Sequence, residues 1–262
     1  MTIDIDDLAG QLIQAHRDRT PLDFLAPADV RRSIGDAVRV QQEVVRRLVQ
    51  QGDRVAGYKL GNIAKAMQDK FGVGEPDFGY LLTSQFRFEN LPLSPEEFIE
   101  PYVELEPAFV LKGELGGAHV TVADVISATD YVLPSLEIID SRIKDWKIDS
   151  FETLADGGSV GAVILGGQPR QLSDVNLANT AGELRVDGEV IARGNTADVY
   201  GNPISAIAWL CRRVAEYGVT FNKGDIILPG SCLAAVPLTP GTHVTGSFTG
   251  WGEISFEYAT EA

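Results

Sequence analysis

The fold of this chain is decided by residues 102–111, which read YVELEPAFVL. The alternation predicts a β-strand in which Glu104 and Glu106 point to one face and Val103 and Leu105 point to the other. Two carboxylates about 7 Å apart on one face of an apolar strand repel each other and raise each other's pKa. Either this face is solvated, as on an edge strand, or a cation lies between the two acids.

A second apolar run, residues 133–139 with the sequence LPSLEII, contains one acid, Glu137. An isolated buried carboxylate is costly unless it is paired or bound to a metal. Together with Glu104 and Glu106 it would complete a site of three carboxylates. Hard divalent ions such as Mg²⁺ take oxygen ligands of this kind and keep positions open for water or substrate.

A buried salt bridge is the alternative role for Glu137, with Lys59 or Arg142 as its partner. Arg142 is explained equally well by pairing with Asp140, which would hold the end of the strand. Lys59 lies in a short strand predicted over residues 57–61, between Tyr and Leu side chains. This is an unusual place for a surface charge.

The composition indicates one large globular domain. The chain has 262 residues, of which 44% are hydrophobic and 23% charged, which is ordinary for a folded protein with a sizeable core. Its formal net charge is −15, so a basic surface that binds nucleic acid is excluded. A small anionic substrate would need a local positive charge in the site.

Targeting and cysteine patterns add little. The first seven residues have no basic region followed by an apolar one, so no signal peptide is expected. No apolar run reaches the roughly 20 residues that a membrane helix requires. Cys211 and Cys232 form no disulfide framework or zinc motif. We therefore expect a cytoplasmic protein that has no membrane association.

The order of predicted elements favours the α+β class. Apolar residues from Val30 at helical spacing predict an amphipathic helix that ends near Gly52, and residues 62–93 read as loop-rich. A further helix is predicted over residues 121–131, and the Asp187-Gly188 pair predicts a hairpin. Helices come first and strands mostly later, with no alternation of strand and helix. The other predicted elements are a helix from Asn202-Pro203 to Gly218 and strands in the last 40 residues.

Several motifs in one order make the chain resemble a known family. From residue 57 to the C-terminus it is similar to the 2-keto-4-pentenoate hydratase and 2-oxo-3-hexenedioate decarboxylase family, within the fumarylacetoacetate hydrolase superfamily. The motifs are GYKLG at 57–61, GEPDFG at 74–79, VELEPAFVL at 103–111, ATDYVLP at 128–134, LEIIDSR at 136–142 and GDIILPGS at 224–231.

The resemblance implies a fold and a domain organisation. The expected fold is a fumarylacetoacetate-hydrolase-like mixed β-sheet roll or barrel, preceded by an N-terminal helical segment. Residues 1–56 would form that segment, as a lid or an interface, and residues 57–262 the catalytic core.

The resemblance also implies the residues of the site. Glu104, Glu106 and Glu137 would hold Mg²⁺ or Mn²⁺. Lys59 and Asp77 would handle protons and contact the substrate carboxylate, and Ser159 would face the active site. Family members tend to read Asp-Asn-Ala-Ser-Ser where this chain has residues 156–160, DGGSV. The lost amide and second hydroxyl leave the distal substrate contacts open.

The activity implied is hydration of 2-hydroxypenta-2,4-dienoate (2-oxo-4-pentenoate), or a close homologue, in meta-cleavage aromatic catabolism. The alternatives are 2-oxo-3-hexenedioate (4-oxalocrotonate) decarboxylase and a non-catalytic partner subunit. The ending LPGS at 228–231 favours the hydratase. The family also implies a pentamer-based homo-oligomer and association with a decarboxylase partner.

A serine hydrolase is a further hypothesis, because residues 157–161, GGSVG, match the G-x-S-x-G pattern. That motif requires a strand before the serine and a helix after it. Here a polar stretch precedes Ser159 and a strand is predicted after it. The three histidines, His16, His119 and His243, are too scattered to form a ligand set and are expected at the surface.

Overall fold

The computed structural model describes residues 3–26, 32–72 and 75–260. Val30 and Gly74, which take part in two of the predicted segments, lie outside the described residues. The helices are α1 (Ile5–Asp18), α2 (Ile34–Gln50), α3 (Lys65–Phe71), α4 (Val122–Ala128), α5 (Ser150–Ala155) and α6 (Pro203–Val214). None of the described helices is long and apolar enough to cross a membrane.

The strands lie mostly in the second half of the chain. They are β1 (Val55–Gly61), β2 (Asp77–Leu82), β3 (Phe86–Phe88), β4 (Tyr102–Leu111), β5 (Leu115–Gly116), β6 (Thr129–Ile139), β7 (Val160–Leu165), β8 (Ala181–Val186), β9 (Glu189–Asn195), β10 (Thr220–Phe221), β11 (Ile226–Leu228), β12 (Val236–Pro237), β13 (Thr242–Phe248) and β14 (Gly252–Tyr258).

A mixed sheet built around β4 and β6 carries the core. Among the described residues its strand order is β2-β1-β11-β4-β6-β7-β3, and β12 also pairs with β4. The pairs β1–β11 and β3–β7 are parallel, and the other pairs are antiparallel. A second antiparallel sheet, β14-β13-β8-β9, packs against this one. The predicted α+β class with a mixed-sheet core is confirmed.

The second sheet approaches the first closely at Gly246 of β13. A Cβ atom there would lie 2.7 Å from Leu136 and 2.9 Å from Leu105, both of which are fully buried. Glycine is therefore needed for the two sheets to meet over the apolar face of β4 and β6. The opposite face of these two strands carries the acids.

The N-terminal helices share the main hydrophobic core. Ser33 caps α2 by accepting from the backbone N–H of Asp36, which satisfies one of the free donors at a helix start. Gln41 of α2 is buried, and its amide donates to the carbonyls of Phe78 and Leu154. The first two helices are thus fixed to the elements that carry the site. The division of the chain at residue 56 stays a prediction.

The local predictions meet the structure with two differences. The hairpin at Asp187-Gly188 joins β8 to β9, and both residues have positive φ, as a two-residue turn of this type requires. The helix that begins after Thr121 ends at Ala128 and not at residue 131, because residues 129–139 pair with β4 over their whole length. Residues 62–93, predicted as loop-rich, contain α3, β2 and β3.

Glycine 57 allows β1 to lie close against β11, because a Cβ atom there would fall 1.9 Å from the carbonyl oxygen of Ile226. We expect Gly57→Ala to force the two strands apart and to lower the free energy of unfolding by about 1–3 kcal/mol, as overpacking does. Gly113→Ala is the matched control, because nothing lies within 4 Å of its Cβ position. Equal urea midpoints for the two variants would contradict this packing.

Candidate active site

Three glutamates from two paired strands form a carboxylate cluster. Glu104 and Glu106 alternate along β4, and the antiparallel register places Glu137 of β6 opposite Glu104. One oxygen from each acid lies within 4.8 Å of the others, and each residue is at most 2% exposed. The shared face predicted from the sequence is confirmed, and the alternative of a solvated edge strand is wrong.

Burial controls the protonation of this cluster. It raises the pKa of Glu104 to about 8, with Glu137 adding to the effect and Lys59 opposing it. Burial and the two neighbouring carboxylates also raise the pKa of Glu106 well above its usual range, and burial raises that of Glu137. Buried anions of like charge are costly without compensation, so this cluster requires either protons or a cation.

Lys59 supplies part of the compensating charge. Its Nζ atom lies 3.5 Å from Oε1 of Glu137 and 3.6 Å from Oδ1 of Asp77, and it donates to the carbonyl oxygen of Gly158 at 2.9 Å. Burial lowers the pKa of Lys59, but the surrounding carboxylates, Glu137 first, raise it by more. The ammonium group therefore stays charged, and the predicted alternative of a Glu137–Lys59 salt bridge is present.

The cluster keeps oxygen atoms free for a cation. The N–H of Gly230 donates to Oε2 of Glu106 at 2.7 Å, which fixes that carboxylate. Among the described residues, Oε1 of Glu104, Oε1 of Glu106 and both oxygens of Glu137 have no hydrogen-bond partner. Buried acceptors of this kind are rarely left unpaired. Such a set of oxygen atoms fits Mg²⁺ or Mn²⁺.

Asp77 lies on the other side of Lys59. The register of β1 and β2 pairs Asp77 with Gly61, two residues along from Lys59, so all three positions share one face. The hydroxyl of Thr153 donates to Oδ2 of Asp77 at 2.9 Å, while Oδ1 has no hydrogen-bond partner among the described residues. The structure therefore brings the two predicted proton-handling residues together.

Ser159 lies in the turn that precedes β7. It lines a cavity that Lys59, Asp77 and Glu104 also line. Its hydroxyl donates to Oδ2 of Asp156 at 3.0 Å. No helix follows this serine, since β7 begins at the next residue, and His243 is exposed on β13. The arrangement that a serine hydrolase requires is absent around Ser159 in the described part of the chain.

Arg142 fixes this turn from the end of β6. Its Nε donates to Oδ1 of Asp156 at 2.5 Å, and its remaining groups donate to the carbonyls of Asp140, Asp156 and Val160. The predicted pairing of the Arg142 and Asp140 side chains is wrong. The Asp140 carboxylate instead accepts from the backbone N–H groups of residues 99 and 100.

Glycines make room where this turn meets Lys59 and Asp77. A Cβ atom at Gly158, which has a φ of +66°, would lie 2.8 Å from Oδ1 of Asp77 and 2.9 Å from Lys59. A Cβ atom at Gly79 would lie 1.9 Å from the carbonyl of Gly157. Gly158 therefore places its backbone, and no side chain, against the lysine.

A cavity opens beside the cluster, with Glu104 as the acid of the three that lines it. Its polar walls come from Lys59, Asn62, Asp77, Glu104, Thr153, Gly158 and Ser159. Its apolar walls come from Met67, Phe71, Ile139, Trp146 and Ile148. No sequence pattern indicates Thr153 or the apolar walls, whereas Gly158 lies in the GGSVG segment and Gly230 in the GDIILPGS motif.

The raised pKa values of the three glutamates determine whether the stability of the metal-free protein rises or falls with pH. An acid whose pKa rises from about 4.5 to about 8 on folding binds more protons in the folded state between these values. Without metal, the free energy of unfolding should therefore fall as the pH rises from 6 to 8. Urea unfolding in the presence of a chelator measures this free energy at each pH. Glu104→Gln should reduce its dependence on pH. A stability that rises with pH in both proteins would contradict the protonation described.

Comparisons with known proteins agree with this geometry. Residues 94–257 match the model for the fumarylacetoacetate (FAA) hydrolase C-terminal family. The chain is 34% identical to a 2-keto-4-pentenoate hydratase of Paraburkholderia phymatum and 34% identical to a 2-hydroxyhexa-2,4-dienoate hydratase of Comamonas testosteroni, with 97% of each chain covered.

A solved structure extends the comparison to the whole fold. The 4-oxalocrotonate decarboxylase of Pseudomonas putida G7, complexed with magnesium and adipate, superposes with a TM-score of 0.91 at 31% identity, and the match covers 97% of each chain. The family model alone spans more than half of the sequence. The chain therefore belongs to the fumarylacetoacetate hydrolase family, among the relatives named as 2-keto-4-pentenoate hydratases and 4-oxalocrotonate decarboxylases.

Proposed function

We propose that this chain is a metal-dependent hydro-lyase that adds water to 2-hydroxypenta-2,4-dienoate, or a close homologue, to give a 4-hydroxy-2-oxo acid in meta-cleavage aromatic catabolism. The observation that carries the proposal is the buried cluster of Glu104, Glu106 and Glu137 beside Lys59 and Asp77. The hydratase names of the relatives support it.

The three glutamates would hold Mg²⁺ or Mn²⁺. When bound, the ion supplies a Lewis acid for the C1 carboxylate and the C2 oxygen of the substrate. Lys59 adds a second positive charge 3.5 Å from Glu137. A protein of net charge −15 can in this way admit an anionic 2-oxo acid into one local region of positive charge.

Asp77 is the proposed acid and base. Its Oδ1 is free of hydrogen bonds among the described residues, and Thr153 orients the other oxygen. The residue would take the proton of the C2 hydroxyl and deliver it to C5 of the dienoate, which forms the α,β-unsaturated 2-oxo acid. It would then take a proton from the water that adds at C4 and pass it to C3, which completes the product and returns Asp77 to its starting form.

Ser159 is proposed to orient the water. Its one hydroxyl proton is donated to Asp156, so the serine oxygen is left as an acceptor in the cavity wall. A water molecule can donate to that oxygen, whereas a substrate carboxylate, which has no proton, cannot. The Arg142–Asp156 pair keeps the serine in place.

A decarboxylase acting on 2-oxo-3-hexenedioate is the second candidate, because the structural match with TM-score 0.91 is a decarboxylase. A non-catalytic partner subunit is disfavoured, since all three acids of the proposed metal site are present. We also propose a pentamer-based homo-oligomer that associates with a decarboxylase partner, and residues 1–56 as its lid or interface segment.

A paired assay separates the two enzymes. With Mg²⁺ present, loss of ultraviolet absorbance from 2-hydroxypenta-2,4-dienoate should proceed at a rate typical of enzymes, about 1–10³ per second. Release of CO₂ from 2-oxo-3-hexenedioate should be negligible in a parallel reaction. Consumption of neither substrate would overturn both candidate functions, and CO₂ release alone would establish the decarboxylase.

The metal site has its own test in Glu106→Gln. Loss of a ligand should lower turnover about 100-fold or more, because the ion contributes several kcal/mol to the transition state. Saturating Mg²⁺, at about 100 times its Kd, should stabilise the native enzyme by about 2.7 kcal/mol and this variant far less. Glu253→Gln removes the same charge from an exposed position and is the control. Unchanged metal dependence in Glu106→Gln would show that the ion binds elsewhere.

A further inference from the structure

The active-site cavity has apolar and aromatic side chains in its lining beside its charged groups. Met67 and Ile139 are buried there, and Phe71, Trp146 and Ile148 are half-buried toward the surface. The rings of Phe71 and Trp146 stack with their centroids 4.6 Å apart and an interplanar angle of 29°. These side chains line the same cavity as Glu104, so they are the apolar surface available to the other end of a substrate that is held at the acids by its C1 end.

The polar atoms of this wall are already engaged. The indole N–H of Trp146 donates to the carbonyl of Glu100 at 3.0 Å. The sulfur of Met67 accepts from the backbone N–H of Ala235 at 3.3 Å. These contacts fix the two side chains, and no side chain of the wall, within the part of the chain that the structure describes, keeps a free hydrogen-bond donor for a second carboxylate.

The cations in and around the cavity are engaged as well. Among the described residues that line it, Lys59 is the one cation, and Gly158 and two carboxylates hold it. Lys70 lies outside the lining, with Nζ 5.0 Å from the centre of the Tyr102 ring. Lys147 is paired with Asp145 at 2.7 Å.

We infer that this chain selects 2-hydroxy-2,4-dienoates whose distal end is an uncharged alkyl group and rejects those that end in a second carboxylate. The inference rests on the proposed hydration and names Phe71, Trp146 and Ile148 as the residues that determine specificity. A carboxylate placed here loses its hydration without gaining a partner. An alkyl end gains burial against the same wall.

Three substrates test this selectivity in the wild-type enzyme. These are 2-hydroxypenta-2,4-dienoate, 2-hydroxyhexa-2,4-dienoate, which adds a methyl group, and 2-hydroxyhepta-2,4-diene-1,7-dioate, which carries a carboxymethyl group in place of that methyl. We expect kcat/KM to rise about tenfold with the methyl group, as one buried carbon allows. It should fall about 100-fold or more with the carboxymethyl group, because an unpaired charge enters an apolar wall.

A variant series locates the selectivity. Ile148→Arg gives the wall a cation and should raise the kcat/KM of the dicarboxylate relative to the hexadienoate about tenfold or more, as pairing a buried charge does. Ile148→Met keeps the wall apolar and should leave the ratio near that of the wild type. Ile191→Arg adds the same charge at an exposed site on β9 and should also leave it unchanged.

Lys70→Met tests the nearest alternative anchor. A drop in dicarboxylate turnover in this variant, or efficient dicarboxylate turnover by the wild type, would overturn the inference while leaving the hydratase intact. Equal kcat/KM values for all three substrates would also overturn the inference and leave the proposed hydratase activity intact. If none of the three is consumed with Mg²⁺ present, the proposed function itself fails.

Discussion

The active site depends on how the negative charge of buried carboxylates is balanced within the sheet. Three glutamates and one aspartate lie around a single ammonium group, and one positive charge does not neutralise four carboxylates. The neighbouring backbone is arranged around this imbalance. The N–H of Gly230 satisfies one glutamate oxygen, and the carbonyl of Gly158 holds the ammonium in place. Four other buried oxygens of these glutamates have no hydrogen-bond partner among the described residues, and this makes the cluster suitable for a divalent ion.

Much of this arrangement could be read from the sequence because it follows from the period of a β-strand. Alternation places Glu104 and Glu106 on one face of a strand. Glu137 is the single acid in another apolar run, which indicates that it is buried and joins the other two acids. Lys59, a lysine between Tyr and Leu in a short strand, is likewise unusual enough to indicate a site. Motif order then identified the family, so the class of fold required no structural information.

Other features could not be predicted because they arise from contacts between distant segments. Arg142 has an acid two residues before it, yet it pairs with Asp156 across a turn, since that turn closes over the end of β6. Thr153 lies in an ordinary helical segment and reaches Asp77 only through the packing of α5 on β2. The helix after Thr121 ends early because pairing with β4 outweighs the local helical preference.

Strand β6 and the residues that follow it restrict how the site can change in evolution. Only four residues lie between Glu137, in the acid cluster, and Arg142, which holds the turn that places Gly158 against Lys59. One segment therefore positions an acid of the cluster and, through the turn, the lysine that faces it. Substitutions at its two ends are coupled, so their effects will not add. Adaptation to a new substrate is easier through Phe71, Trp146 and Ile148 of the apolar wall, which lie outside this segment.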